Sequence, residues 1–371
     1  MDILRRFTDL ITPPPFRRTP KPDYLPVLEG PTLASTLKPL LKELLTAPSM
    51  HDPSGQDCVS AIKELAQKKG FYLTAFEIRN RLDATPKMDD EGTPLHRDRG
   101  YVLAADLFLQ HMHREIDAIT TDPHPVGPKV FRGYCNEMIV CLLNGSNMQR
   151  VVEIPVLIVD KLLASAVEHF DKAGRCVQLA EQVVESALEL VRYEFQLERI
   201  EGKRSSQIKA KDETSGTELE HPSSANDEGA VRYLEDLQSQ VKRLINGVQQ
   251  YETERTPSQK GQPIVPADLP DQAQHLHALL RIANSAQYLA FCAFVKERIG
   301  ILLGSVQQKK AIEFLRSAAQ DYEAQGDIER RLLLAKLWRA RYARAHQHFL
   351  RAEDETGATR VQEKAGECAA P

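Results

Sequence analysis

The chain has 371 residues, of which 42% are hydrophobic and 27% are charged, and its formal net charge at pH 7 is −4. These values are ordinary for a folded protein, and they exclude a global positive field that recruits nucleic acid or membranes, so charge-driven binding must be local. Six cysteines without close spacing favour reduced intracellular thiols, and the apolar run from Ile282 to Val295 is shorter than the roughly 20 residues of a membrane span.

The N-terminal segment, residues 1–31, is predicted to lie outside the folded core. Its first 11 residues are weakly amphipathic, and two aspartates offset two arginines. This balance favours a short docking helix over a mitochondrial presequence, which is basic and poor in acids. Residues 12–31 contain seven prolines and are predicted to form an extended tether, with an SH3 or WW ligand as the alternative.

Residues 32–200 are predicted to form a helical domain. The segment after Gly70 admits two interpretations. Thr74 and Glu77 form a capping box that favours a helix, whereas the aromatic and β-branched run FYLTAFEI leaves a strand as the alternative. Asp98 is expected to cap the helix that follows it. Apolar periodicity predicts four further helices, over about 40–45, 54–69, 101–119 and 129–143.

The centre of this domain is a pair of amphipathic helices over 155–200. Apolar residues recur at helical spacing from Val159 to Phe170 and again from Val177 to Phe195. Pro155 suits a helix start and Gly174 suits the residue after a helix end. Because so few residues join them, the two helices must pack antiparallel as a helical hairpin.

Two linkers are predicted to be disordered, and a single helix lies between them. Residues 201–229 contain few large apolar side chains and residues 252–268 are rich in proline and glutamine, so neither buries enough surface to fold alone. The helix over 230–251 has an apolar seam in heptad register, which must pack on the body or on a partner. We expect four seam residues to contact a partner: Leu234, Leu237, Val241 and Leu244.

Residues 269–353 are predicted to form a block of three helices, followed by a disordered tail over 354–371. The first helix is expected to span about 270–303. Ser305 with Gln308 suggests a capping box for the second helix, and Gly326 with Asp327 suggests its end. The third helix is expected to run to about Leu350.

One pattern occurs twice: a large apolar residue, a small or β-branched residue, an aromatic residue and a glycine. The copies are Leu163, Val167, Phe170 and Gly174, then Leu315, Ala319, Tyr322 and Gly326. The pattern resembles the first helix of a tetratricopeptide repeat. Such arrays repeat every 34 residues and need about three copies, whereas these two copies lie far apart and only the first is followed by a partly matching second helix. The chain is therefore interpreted as helical hairpins outside that family.

No catalytic, cofactor-binding or metal-binding motif stands out. Five His and Cys residues lie close in sequence, but on helices they point in different directions, so surface histidines and buried thiols are the better interpretation. These five are His111, His113, His124, Cys135 and Cys141. The triplet at 96–98 matches a kinase catalytic loop only in part, and Walker and nucleophile-elbow motifs do not occur.

The last predicted helix, from Ile328 to Arg351, is strongly basic. Its inward stripe is predicted to contain Leu334, Trp338, Tyr342, Ala345 and Phe349. Five basic residues are predicted to align on an outward stripe and to bind an anionic partner, with an ordinary solvated face as the alternative. They are Arg330, Arg341, Arg344, His348 and Arg351.

The sequence thus predicts an all-α protein, an irregular bundle or α-solenoid of about ten helices with two disordered linkers. The expected function is non-enzymatic protein–protein interaction or scaffolding in the cytoplasm or nucleus, without a cofactor. One alternative is an all-α enzyme with dispersed catalytic residues. Another alternative is binding of nucleic acid or acidic lipid through the basic helix. Because the net charge of the chain is negative, nucleic acid is the less expected of these two partners, and peripheral contact with a membrane stays an alternative.

Overall fold

The computed structural model describes residues 32–50, 52–88, 94–119, 121–122, 125–145, 148–209, 224–254 and 269–366. Within these residues the regular structure is helical, with thirteen α-helices, one 3₁₀ turn and a single isolated β-bridge. The all-α prediction is therefore confirmed. Across the same residues no helix has the length and apolar character that crossing a membrane requires. The predictions for residues 1–31 fall outside the described part of the chain.

Contacts divide the chain into two units, Met1–Asn147 and Met148–Pro371. The first contains five described helices, each packed on the next along the chain, with α1 also contacting α3 and α4. They are α1 (Leu33–Thr46), α2 (Pro53–Lys69), α3 (Phe71–Ala84), α4 (Arg97–Ala118) and α5 (Pro128–Gly145).

A single glycine connects α2 to α3. Gly70 has φ +103°, a conformation that residues with a Cβ rarely adopt. The segment that follows it is helical, so the strand alternative is wrong. The capping box is also wrong, because Thr74 lies inside α3 and donates its hydroxyl to the Gly70 carbonyl oxygen at 2.8 Å. Asp98 likewise lies in the first turn of α4 rather than at its cap.

The second unit contains eight described helices. Each packs on the next, and the first of them, α6, also contacts α8, α10 and α12. They are α6 (Met148–Glu168), α7 (Ala173–Lys209), α8 (Ser224–Glu254), α9 (Leu269–Ala286), α10 (Leu289–Leu303), α11 (Gln308–Arg331), α12 (Ala335–Arg351) and α13 (Glu355–Gly366).

The predicted central hairpin is present as α6 and α7, but its ends differ from the prediction. Pro155 lies inside α6, because Val151 and Val152 extend the buried face by a further turn. The connection is the 3₁₀ turn Phe170–Lys172, which leaves Gly174 inside α7. The unit boundary also differs from the predicted domain 32–200, since α6 packs mainly on helices that follow it in the chain.

Parts of both predicted linkers are helical in the structure. Residues 201–209 belong to α7 and residues 224–229 belong to α8, while 210–223 lie outside the described residues. In the second linker, 252–254 complete α8, and 255–268 are not described. The isolated helix expected over 230–251 is therefore part of a longer helix that packs on α7 and α9.

The block predicted over 269–353 has four helices instead of three. The helix expected over 270–303 is interrupted at Gln287, whose φ is +58°. No capping bond from Ser305 opens α11, which begins at Gln308. Gly326 does not end α11; it lies inside the helix, where an added Cβ would stand 2.6 Å from the Tyr342 ring. The chain turns instead at Leu333, with φ +59°.

The segment predicted as a disordered tail contains α13. Gly357, Ala358 and Val361 are buried on its inner side. A Cβ at Gly357 would lie 2.6 Å from the Phe349 ring, so this glycine allows α13 to approach α12 closely. Residues 367–371 are not described.

Candidate functional site

The position of α12 is determined by a buried ion cluster on its inner side. Arg341 lies 2.5 Å from Asp160 of α6 and 3.3 Å from Glu329 of α11, measured from Nη2 to carboxylate oxygens. The exposed fractions are 3% for Arg341, 8% for Asp160 and 0% for Glu329. A buried arginine between two carboxylates links three helices, and its guanidinium is not accessible to an external partner.

Neighbouring polar side chains form hydrogen bonds with most of the charged groups in this cluster. Tyr233 of α8 and Gln325 of α11 donate to Glu329 Oε1 at 3.1 and 2.9 Å. Tyr288, immediately before α10, donates to Asp160 Oδ1 at 3.3 Å. Among the described residues, Glu329 Oε2 has no hydrogen-bond partner. Burial raises the pKa of Glu329 and that of Asp160, and Arg341 only partly opposes this effect.

The raised pKa of Glu329 predicts a specific dependence of stability on pH. The Glu329 carboxyl group binds its proton more tightly in the folded protein than in the unfolded chain. The free energy of unfolding therefore falls as pH rises above about 4.3, the pKa of glutamate in the unfolded chain, and stops falling once the pH exceeds the pKa of Glu329 in the folded protein. Glu329→Gln removes this titration. We expect the wild type to lose stability relative to Glu329→Gln over that pH range in urea unfolding measured at several pH values.

Glu297 provides a control of opposite sign. Burial alone would raise its pKa, but hydrogen bonds from His348 and Tyr322 lower it. Its stabilising contribution is therefore present above the unfolded pKa and disappears as pH falls through the folded pKa. Relative to Glu297→Gln, the wild type should lose stability on acidification. Equal pH profiles for the two variants would contradict at least one of these two assignments.

Glu297 belongs to a second polar cluster, which links α10, α11 and α12. Tyr322 donates to Glu297 Oε2 at 2.7 Å, and His348 Nε2 lies 3.2 Å from the same oxygen. Arg344 donates to the Tyr322 hydroxyl at 3.1 Å, and its guanidinium lies 5.1 Å from the centre of the Phe294 ring.

A third set of ion pairs holds α13 against α11. Arg360 makes a bidentate pair with Glu323 at 2.9 and 2.7 Å. Lys364 lies 2.8 Å from both Glu323 and Asp327. Hydrogen bonds and charge attraction from Arg360 and Lys364 overcome the effect of burial and lower the pKa of Glu323. These contacts place α13 beside the outer side of α12.

A groove of about 310 Å³ lies between α12 and α13. Its apolar lining consists of Tyr342, Ala343, Val361 and Ala365. Its polar lining consists of Arg339, His346, Gln347 and Gln362. Among the described residues that line the groove there is no carboxylate. The groove is therefore a preformed, mostly apolar depression with basic groups along the α12 wall.

The outward basic stripe predicted from the sequence is wrong in part. Arg341 and His348 are buried and contact carboxylates of the same unit. Arg344 is exposed but packs on aromatic rings, and Arg330 is partly buried on α11 rather than on the last helix. Arg351 is exposed at the end of α12. The structure thus separates these five residues, while the groove residues Arg339 and His346 were missed.

The four seam residues of α8 are buried within the second unit, so this helix packs on the body, which was one of the two alternatives, and the seam is not a free surface for a partner. Leu234, Leu237, Val241 and Leu244 are at most 3% exposed. Their helix packs against α7 and α9, which cover the seam. The seam therefore contributes to the core of this unit.

The described cysteines lack the character of nucleophiles. Cys58, Cys135, Cys141, Cys176 and Cys292 are buried as free thiols. Burial raises the pKa of each, to about 11 for Cys58, Cys176 and Cys292 and to about 12 for Cys141. A thiol reacts as its thiolate, so these residues behave as small apolar side chains. Among the described residues there is also no cluster of three or more potential metal ligands.

Comparison with protein-family models, with curated proteins and with solved structures found no match to this chain.

Proposed function

We propose that this chain is a non-enzymatic helical interaction protein, and that the groove between α12 and α13 receives a segment of a protein partner. The groove carries this proposal: it has an apolar floor, a polar rim and the small residues Ala343 and Ala365 in its walls. Apolar grooves between helices are a common way to bind an amphipathic peptide segment. Reduced, buried thiols support a cytoplasmic or nuclear location.

The walls of the groove are held in place before any partner arrives. α12 is fixed on its inner side by Arg341 and His348, and α13 is fixed to α11 by Arg360 and Lys364. A site that is already ordered loses less conformational entropy on binding. This arrangement supports a binding role for the groove.

The alternative of an all-α enzyme has less support. The strongest cluster of titratable groups, around Asp160, Glu329 and Arg341, is buried and its charges pair with one another. General acid–base catalysis needs such a group within hydrogen-bond reach of a substrate. Of the groove's own polar groups, the Tyr342 hydroxyl already donates to Asp327 of α11 at 2.6 Å, and no carboxylate lines the groove beside His346 among the described residues.

Filling the groove tests the proposal. Ala343→Trp places a large ring in the wall, while Ala340→Trp adds the same ring at an exposed position of α12 that does not line the groove. We expect proteins that co-purify with the tagged wild-type chain to be retained by Ala340→Trp and reduced at least tenfold with Ala343→Trp. Quantitative mass spectrometry of the captured proteins measures the effect, and thermal unfolding confirms that both variants fold. Identical capture by both variants would show that the groove is not the binding surface.

A further inference from the structure

The charge of the groove is concentrated on one wall. α12 contains no acidic residue from Ala335 to Arg351. Four of its basic side chains are exposed, namely Lys336, Arg339, Arg344 and Arg351. Of these four, Arg339 lines the groove, together with the partly exposed His346. A ligand lying in the groove therefore meets the positive charge of Arg339 on the α12 wall.

Arg339 is held ready to bind an anion. Its guanidinium lies 5.1 Å from the centre of the Trp338 ring, a cation–π contact that restricts the side chain. A guanidinium offers several N–H donors in a fixed plane, which suits a carboxylate. Because this contact restricts the side chain before binding, less entropy is lost when a carboxylate binds.

The spacing along α12 places an apolar position between two polar groups. Arg339 and Ala343 are four residues apart, and His346 follows three residues later, so the three share one face of the helix. Ala343 leaves space opposite Val361 of α13. Pockets for whole small molecules range from about 300 to 1,000 Å³. At about 310 Å³ the groove lies at the lower end of this range, a volume that suits one or two apolar side chains of a partner.

The second wall limits how far positive charge extends. α13 has two exposed acids, Glu355 and Glu363, and its Arg360 and Lys364 pair with carboxylates of α11. A long polyanion or an anionic membrane would meet these acids as well as α12. A short segment that places carboxylates only against α12 avoids them.

From these observations, and resting on the function proposed above, we infer that the partner segment is acidic and amphipathic. One large apolar side chain enters beside Ala343, and a carboxylate on its flank pairs with Arg339. His346 offers a ring nitrogen to a second polar group one turn further along.

Defined helical peptides test this chemistry. The first probe is a fluorescein-labelled helix with a Leu face flanked by Glu; the second replaces Glu by Lys, and the third replaces Leu by Ala. Fluorescence anisotropy with the full chain should show at least tenfold tighter binding of the first peptide than of the other two. Arg339→Glu should reverse the preference between Glu and Lys peptides, and high salt should weaken the Glu-peptide complex because exposed ion pairs are screened.

Arg351→Glu is the matched control, because Arg351 is exposed on the same helix but does not line the groove. It should change the affinity by less than threefold. Equal binding of the Glu and Lys peptides, with loss of both in Ala343→Trp, would overturn the acidic partner while leaving the groove function intact. Failure of all three peptides to bind would overturn both. Vesicles containing phosphatidylserine are the last probe: their capture without Glu-peptide binding would assign the basic wall to a membrane surface and overturn the inference.

Discussion

We expect Arg341→Leu to lower the free energy of unfolding by about 3–5 kcal/mol, because removing one partner of a buried ion cluster leaves the other charges uncompensated. Asp160 and Glu329 would then face each other in the core, both nearly inaccessible to water. Protonation of one carboxylate reduces this penalty at low pH. The loss of stability should therefore be larger at neutral pH than at pH 4.

Urea unfolding followed by tryptophan fluorescence measures this effect in the relevant unit. Trp338 is the only tryptophan of the chain, and it lies on α12 within the second unit. Arg351→Leu is the control, since an exposed substitution away from packing usually changes stability by less than about 0.5 kcal/mol. Equal midpoints for the two variants would mean that the buried cluster contributes nothing to stability.

The second large effect is expected for Trp338→Ala. The ring is 5% exposed and packs beside Tyr342, with ring centres 5.6 Å apart. Removing a buried aromatic side chain typically costs about 3–5 kcal/mol through lost burial and the cavity left behind. In a unit of this size, each kcal/mol lowers the midpoint of thermal unfolding by about 2–4 °C, so we expect a decrease of roughly 6–20 °C.

Circular dichroism at 222 nm follows this transition, because the variant has lost the fluorescent reporter. Leu350→Ala serves as the control: Leu350 is 53% exposed near the end of α12, so its truncation should lower the midpoint only slightly. A decrease as large in Leu350→Ala as in Trp338→Ala would show that the inner and outer sides of α12 have been exchanged.

Stability and binding should be separable on α12. Arg341 lies two residues from both Arg339 and Ala343, about 200° away around a helix of 3.6 residues per turn. Arg341 contacts carboxylates of α6 and α11, whereas Arg339 and Ala343 line the groove. Substitutions at Arg339 should therefore affect peptide binding with little effect on unfolding.

The helical class of the chain could be predicted from local pattern alone. Apolar residues at spacings of three and four marked α4, α5 and the pair α6 and α7, because one face of each helix must be buried. The prediction of the inward stripe of the last helix was also confirmed, since Trp338, Tyr342 and Phe349 are buried. These features depend on the period of the helix and not on the identity of its neighbours.

One further feature could have been found in the sequence. Asp160 lies on the same helical face as Val156, Leu163 and Val167, all of which are buried. A buried charge almost always has a partner, so an acid within an apolar stripe indicates a buried cation elsewhere. The pattern does not show which arginine supplies it.

The identity of that arginine was decided by the tertiary structure. An apolar stripe suggests one neighbouring helix, but α12 contacts α6, α11 and α13, so its buried arc is wide enough to include Arg341 and His348. The groove likewise depends on α13, which packs on α12 because Gly357 admits Phe349 and because Arg360 and Lys364 pair with α11. Periodicity in the sequence determined that these segments are helices. The number of neighbours around each helix decided which charged side chains are buried and which stay exposed, and that number depends on residues far apart in the chain.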